Sequence, residues 1–165
     1  MSQAFCHQFH SSSPDQTSRF AVNLSARLTK GDVLLLEGGI GAGKTHFARS
    51  LIQHRMAQHG AVEDVPSPTF TLVQTYNAGL VELWHADLYR LTHPDEVEEL
   101  GLIQAFEDSV CLVEWPDRLG VLRPETALTL SFATSADTDA EDERVITITG
   151  DADIWQDRVM KAVQA

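Results

Sequence analysis

The sequence is short of the features that mark secreted, zinc-binding and membrane-spanning proteins. Its 165 residues include only two cysteines, Cys6 and Cys111, which lie far apart and form no C-x-x-C pair. Neither a disulfide framework nor a structural zinc site is therefore expected. No apolar run approaches the roughly 20 residues that span a bilayer, and residues 1–10 lack the basic and long apolar segments of a signal peptide. These absences predict a cytoplasmic protein that makes no contact with membranes.

Positive charge is also scarce, since 12 Lys and Arg residues stand against 24 Asp and Glu residues, for a formal net charge of −12. Such a balance argues against tight binding of nucleic acid through a broad basic surface. It does not exclude a nucleotide, because salt screens charges more than roughly 8 Å away and the groups nearest the ligand dominate. The length and the apolar fraction of 43% predict a single domain over residues 1–165.

The most informative segment is residues 34–45, LLLEGGIGAGKT, in which an apolar run leads through a glycine-rich turn to Lys44 and Thr45. Its spacing matches the P-loop pattern G-x-x-x-x-G-K-T. Four glycines within six residues let backbone N–H groups point at phosphate oxygens, and the helix that follows adds its free amides and its positive end. Lys44 would contact the β- and γ-phosphates, and the Thr45 hydroxyl would ligate Mg²⁺. The segment predicts a nucleoside triphosphate site.

Strand and helix patterns alternate along the rest of the chain. Strands are predicted at residues 4–10, 32–37, 70–76, 80–86, 110–115, 126–132 and 144–149. Helices are predicted from residue 13 to about 28, from 45 to near 60, at 95–100 and 102–106, and around 154–163. Residues 77–79 predict a hairpin turn, and residues 133–143 an acidic, polar turn.

Three further segments carry candidate ligand-binding side chains. Residues 110–114, VCLVE, resemble a Walker-B strand, a buried parallel strand that delivers the carboxylate of Glu114 to Mg²⁺. Asp87 ends another predicted strand, the position at which α/β proteins place their chemistry, although an ordinary strand-end turn is the alternative. The loop after the P-loop helix holds two prolines and cannot be helical. Its hydroxyls, Ser67 and Thr69, are either sensors of a γ-phosphate or ordinary loop residues.

Four blocks of this sequence occur in the order and at the separations of one protein family. They are GAGKT at residues 41–45, SPTFTLV at 67–73, HADLYRL at 85–91 and VEWP at 113–116. Together they closely resemble the TsaE family, also called YjeE, the small bacterial ATPases of tRNA threonylcarbamoyladenosine synthesis. The resemblance covers roughly residues 14–132, and the combination is far more specific than a P-loop alone.

The resemblance implies an α/β, P-loop NTPase-like fold of three layers, in which helices flank a mixed, mainly parallel sheet that binds ATP and Mg²⁺. It also implies a role beside TsaB and TsaD, the pair that transfers a threonylcarbamoyl group onto N6 of the adenosine next to the tRNA anticodon. A TsaE protein would hydrolyse ATP, weakly when alone, to reset that complex between turnovers. It would meet tRNA only through its partners, which agrees with the acidic composition.

The same resemblance implies roles for individual residues. Asp87 corresponds to the family's essential acid, which orients or deprotonates the attacking water, and it joins Lys44 and Glu114 in the expected catalytic set. Thr45 and Glu114 would hold Mg²⁺, and Thr69 would face the γ-phosphate. The residues expected to bind the nucleotide are Gly38, Gly39, Ile40, Gly41, Ala42, Gly43, Lys44, Thr45, His46, Thr69 and Trp115. For Trp115 the alternative is a structural role at the edge of the core.

Two positions depart from the family pattern. Gly39 stands where an Asp is expected, and His46 stands where a small hydroxyl residue is usual. Gly39 leaves the run of loop amides intact, so we expect nucleotide binding to survive. His46 removes a possible second hydroxyl contact to phosphate.

Other functions stay open from the residues themselves. A small-molecule kinase would share the P-loop but would need an acceptor pocket and a lid with arginines, for which Arg118 and Arg123 are the candidates. A nucleotide-gated adaptor would bind ATP with negligible turnover. A GTPase is disfavoured, because the guanine-reading motif Asn-Lys-x-Asp does not occur.

Overall fold

The strands and helices follow one another in the order that the hydrophobic patterns predict. The computed structural model describes residues 3–134 and 142–165. In these residues the strands are β1 (Ala4–Ser11), β2 (Val33–Gly38), β3 (Val73–Ala78), β4 (Val81–Asp87), β5 (Val110–Glu114), β6 (Leu128–Thr134) and β7 (Arg144–Asp151). The helices are α1 (Pro14–Ser25), α2 (Lys44–Ala57), α3 (Asp95–Glu99), α4 (Leu102–Asp108) and α5 (Ala152–Gln164), and a 3₁₀ segment covers Pro116–Leu122. None of these helices is long and apolar enough to cross a membrane.

The strands form one sheet in the order β1-β7-β6-β2-β5-β4-β3. The central strands β6, β2, β5 and β4 are parallel, whereas β1, β7 and β3 join the sheet by antiparallel pairing. This mixed sheet with a parallel core confirms the predicted α/β class. Because parallel strands end at the same edge, the last residues of β2, β4 and β5 lie side by side.

Alternate residues of β2 enter two different cores. Leu34 and Leu36 pack into the core that α1, α2 and α5 cover, and Val33 and Leu35 pack into the core on the opposite face. The second core is covered by α3, α4 and the 3₁₀ segment, through Val97, Leu102 and Leu119. A strand that is buried on both faces needs apolar side chains at every position, which explains the unbroken run ahead of the P-loop. The three predicted layers follow from this double burial.

The hairpin of β3 and β4 is confirmed, but its first strand is shorter than predicted. It begins at Val73 rather than at Phe70. Leu72 has a positive φ of 69°, and its N–H donates to the carbonyl of Pro68 at 2.6 Å. The chain therefore turns just before the strand, and Phe70 is left 84% exposed.

The connection within this hairpin also lies later than predicted. Ala78 pairs with Val81, so the turn consists of Gly79 and Leu80 rather than of residues 77–79. Gly79 has a positive φ of 76°, which suits the tight turn. The predicted polar turn over residues 133–143 lies largely outside the described residues.

Candidate nucleotide-binding site

The glycine-rich loop between β2 and α2 has backbone angles that most side chains oppose. Gly38, Gly41 and Gly43 have φ values of 142°, 79° and 109°. A Cβ on Gly38 would lie 2.6 Å from the carbonyl oxygen of Phe132 on β6. Glycine is therefore required there by space as well as by backbone angle. The loop leads directly into α2, so the free amides of the first helical turn lie at the end of the loop.

A residue far along the chain braces the outer side of this loop. Arg144, the first residue of β7, donates from Nε to the carbonyl of Ala42 at 3.0 Å and from Nη2 to that of Gly41 at 3.4 Å. Sequence reasoning missed Arg144, because it belongs to no motif and lies 102 residues after Ala42. The pairing of β6 with β7 carries it back to the loop.

Lys44 lies inside the loop and close to an aromatic ring. Its Nζ donates to the carbonyl of Gly38 at 2.6 Å and lies 3.5 Å from the centroid of the Trp115 ring. Burial lowers the pKa of Lys44, and the negative charges of Glu114 and Asp87 oppose that shift. The ammonium group thus contacts the loop and a ring face, and it lies within the electrostatic influence of the two acids.

Glu114 ends β5 beneath the first turn of α2. The hydroxyl of Thr45 donates to its carboxylate, with Oγ1 at 2.9 Å from Oε1 and 3.0 Å from Oε2. His85 lies on the other side, with Nε2 at 2.6 Å from Oε2. Because Thr45 gives its proton to Glu114, the lone pairs of its oxygen stay available to a cation. The predicted metal pair is therefore in direct contact across 69 residues of sequence.

Asp87 ends β4 and pairs in register with Glu114. Its Oδ2 accepts from the hydroxyl of Thr69 at 3.0 Å, and its Oδ1 accepts from the backbone N–H of Tyr89 at 3.0 Å. The Thr69 hydroxyl in turn lies 2.8 Å from that of Ser67. The two hydroxyls of the proline-containing loop are thus connected to the acid through a chain of hydrogen bonds.

Trp115 follows Glu114 in a left-handed conformation, with a φ of 59°. That conformation is costly for a residue with a large side chain, and such residues concentrate at functional sites. It turns the ring toward the loop, where it contacts Lys44 and packs against Tyr89 with centroids 4.8 Å apart. Trp115 thus lies within the site, where it contacts Lys44. It is also partly buried against the apolar core that contains Val113.

Comparisons with known proteins show the family of this chain. A model of the family described as threonylcarbamoyl adenosine biosynthesis protein TsaE matches residues 11–146. The chain belongs to the TsaE family. The tRNA threonylcarbamoyladenosine biosynthesis protein TsaE of Rickettsia bellii is 34% identical over 139 residues, which are 84% of this chain and 92% of the relative. The protein of the same name from Bacillus subtilis is 39% identical over 137 residues, which are 82% of this chain and 80% of the relative.

A solved structure supports the same assignment. The crystal structure of YdiB from Bacillus subtilis matches 99% of this chain and 98% of its own, with a TM-score of 0.78 and 28% sequence identity. This match confirms the predicted fold. As a TsaE family member, the chain is a tRNA threonylcarbamoyladenosine biosynthesis protein.

The two departures from the TsaE pattern have simple structural consequences. A Cβ on Gly39 would meet nothing within 4 Å, so the loop has room for the expected Asp. The glycine therefore removes one negative charge from the loop without requiring a different backbone conformation. His46 turns its ring toward α1, where Nε2 lies 3.0 Å from both the hydroxyl of Ser18 and the carbonyl of Pro14. His46 therefore ties α1 to the P-loop helix.

The arginines that a kinase lid would need are engaged elsewhere. Arg123 pairs with Glu37 at 2.8 Å and with the hydroxyl of Thr129 at 3.0 Å. Arg118 lies against its neighbour Asp117 and donates to the carbonyl of Tyr89 at 3.4 Å. Both side chains thus contact residues of the domain itself.

A cleft of about 470 Å³ collects most of the predicted residues of this TsaE family member. It is lined by Ile40, Gly41, Gly43, Lys44, Thr45, His46, Ser67, Thr69, Asp87, Tyr89, Glu114 and Trp115. The predicted residues Gly38, Gly39 and Ala42 shape the loop without lining the cleft. Tyr89, whose role the sequence leaves open, is brought in by its contact with Trp115. Arg90 lies outside, with its guanidinium 5.5 Å from the centroid of the Phe70 ring.

Proposed function

We propose that this TsaE family member is a Mg²⁺-dependent ATPase that works with TsaB and TsaD in the threonylcarbamoyl modification of tRNA. The observation that carries the proposal is the contact of the Thr45 hydroxyl with Glu114 directly beside Lys44 and the glycine loop. This arrangement joins phosphate-binding groups to oxygen donors for a cation in one cleft. The cytoplasm, where tRNA is modified, is the compartment that we propose.

The loop supports binding of a triphosphate. Three of its glycines have positive φ values, a backbone conformation common in loops that bind anions, and α2 adds its positive N-terminal end. Lys44 adds its ammonium group in a buried position, where electrostatic interactions are screened less than in water. The cleft has the volume of a small-molecule site.

The pair of Thr45 and Glu114 fits Mg²⁺. Both offer hard oxygen donors, and the hydroxyl keeps its lone pairs free because its proton is given to the carboxylate. Mg²⁺ bound there would neutralise charge on the phosphates and so favour their cleavage. The small number of protein oxygens agrees with Mg²⁺ that retains waters and shares the ligand's phosphates.

Asp87 is the group that we assign to the attacking water. It is buried at the strand end beside Glu114, and its two accepted hydrogen bonds fix the direction of its carboxylate. In hydrolysis, water oxygen would form a bond to the γ-phosphorus while the bond to the β-γ bridging oxygen breaks, which releases ADP and phosphate. Asp87 would hold the water and accept its proton.

The test is the rate of Mg²⁺-dependent ATP hydrolysis by the protein alone and with the TsaB–TsaD pair. We expect a low rate alone and a rate at least about tenfold higher with the pair, with no phosphate passed to an acceptor other than water. The matched control is the Asp87→Asn variant, which should add nothing when it is mixed with the same pair. Transfer of phosphate to a small molecule without stimulation by the pair would instead support a kinase.

A further inference from the structure

His85 is the other buried group that contacts Glu114. It lies two residues before Asp87 on β4, and residues two apart on a strand point to the same face. Its side chain is fully buried, and its Nε2 approaches Oε2 of Glu114 to 2.6 Å. A carboxylate oxygen can only accept, so Nε2 carries the proton of this hydrogen bond.

Among the described residues, the second ring nitrogen of His85 makes no hydrogen bond that would explain a histidine at this position. In residues 3–134 and 142–165, Nδ1 is buried and has no hydrogen-bond partner. An apolar side chain would fill this space without leaving a buried nitrogen unpaired, as Leu83 does on the same strand. Packing therefore does not explain a histidine here, whereas the bond to Glu114 does.

Thr45 and His85 donate to the carboxylate of Glu114 in different ways. Thr45 reaches both oxygens, and His85 reaches Oε2 alone. The last torsion of a glutamate side chain has a broad energy well, so one bifurcated donor leaves the carboxylate plane free to turn. The buried ring of His85 contacts Oε2 alone, so it removes that freedom and sets the direction in which Oε1 points.

We infer that His85 is a positioning residue that holds the carboxylate of Glu114 in the orientation that binds Mg²⁺. The inference rests on the proposed function, because it requires a cation at Thr45 and Glu114. Groups that orient a metal ligand in this way typically change metal affinity 10- to 100-fold when they are removed.

The experiment measures Mg²⁺ affinity by equilibrium binding rather than by turnover. A fluorescent ATP analogue is titrated with Mg²⁺ at fixed pH, and its binding without Mg²⁺ is measured in parallel. The His85→Leu variant should need about tenfold more Mg²⁺ for half-maximal effect and should bind the analogue normally without Mg²⁺. The His85→Gln variant, whose amide nitrogen can occupy the position of Nε2, should recover to within about threefold of the parent protein.

The matched control is the His85→Asn variant, whose shorter amide cannot reach Oε2 and should behave like the leucine variant. Equal Mg²⁺ response by the parent and the leucine variant would overturn the inference, as would equal responses of the glutamine and asparagine variants. If the leucine variant does not fold, as judged by thermal unfolding, the comparison of the two amides decides the question. A parent protein whose nucleotide binding ignores Mg²⁺ would contradict the proposed function itself, which is a separate outcome.

Discussion

Asp87 and Glu114 end neighbouring parallel strands and face each other in register, yet the two acids have different kinds of neighbours. Glu114 accepts from Thr45 in the first turn of α2 and from His85 on β4, so both its donors belong to regular structure. Asp87 accepts from Thr69 in the irregular loop before β3 and from the backbone N–H of Tyr89, just after the end of β4. Glu114 is thus held by regular structure on both sides, whereas Asp87 is held by residues of irregular segments.

This difference suggests how the two tasks at the site are separated. A cation ligand needs a fixed geometry, which a buried strand and a helix provide. A group that handles the attacking water benefits from a partner that can respond to the bound nucleotide. The predictions below test whether the two acids do divide the work in this way.

The largest expected effect is on turnover through Asp87. The Asp87→Asn variant keeps the shape of the side chain but removes its charge and its ability to take a proton. We expect ATP hydrolysis to fall about 1,000-fold, within the usual range for a general base, while ATP affinity stays within about twofold. Single-turnover hydrolysis and equilibrium binding measure the two quantities, and normal turnover by the variant would remove Asp87 from the chemistry.

The second prediction concerns Lys44, whose pKa is lowered by burial and raised by the charges of both acids. The Lys44→Ala variant should lose at least about 100-fold in ATP affinity, or about 2.7 kcal/mol, because a buried charge–phosphate contact is lost. Titration calorimetry measures the affinity. The exposed Lys30→Ala variant is the control for general loss of positive charge and should bind as the parent does. Equal affinity of the two variants would contradict the assignment of the site.

The third effect separates Glu114 from Asp87. The Glu114→Gln variant keeps one oxygen but loses the negative charge that attracts a cation. We expect the Mg²⁺ concentration for half-maximal nucleotide binding to rise about 30-fold in this variant and to change little in Asp87→Asn. A Mg²⁺ titration of both variants tests the division, and an equal shift in the two would show that the acids share the cation.

The smallest effect is expected at Thr69, which orients Asp87 from the loop. The Thr69→Val variant removes the hydroxyl but keeps the shape, so hydrolysis should fall about tenfold with unchanged Mg²⁺ dependence. The exposed Thr71→Val variant in the same loop is the matched control and should be unaffected. A Thr69 variant that hydrolyses ATP at the parental rate would mean that Asp87 does not need this partner.

Much of the site is predictable from local sequence. The glycine spacing identifies the loop, because only glycine adopts the angles of Gly38, Gly41 and Gly43 at low cost. The apolar run of β5 and its terminal Glu114 are likewise visible as a buried strand that ends in an acid. These features depend on neighbours in the chain, so a single segment carries the information.

Other features of the structure could not be predicted from local sequence. The left-handed Leu72 shortens β3 although residues 70–76 have a strand-like composition, and its carbonyl accepts from the backbone N–H of Asp87 at 2.9 Å, a contact between distant parts of the sequence. The 3₁₀ segment after Trp115 and the bracing of the loop by Arg144 also have no local pattern.

The sequence by itself determined the parts of this protein: a glycine loop with a lysine and a threonine, and two acids that end apolar strands. Only the tertiary structure decided which parts meet. The parallel pairing of β4 with β5 sets Asp87 opposite Glu114 and brings His85 to the same carboxylate, and the placement of α2 over β5 brings Thr45 to it. Strand order and register depend on the burial of both sheet faces at once, which is a property of the whole chain and of no single segment.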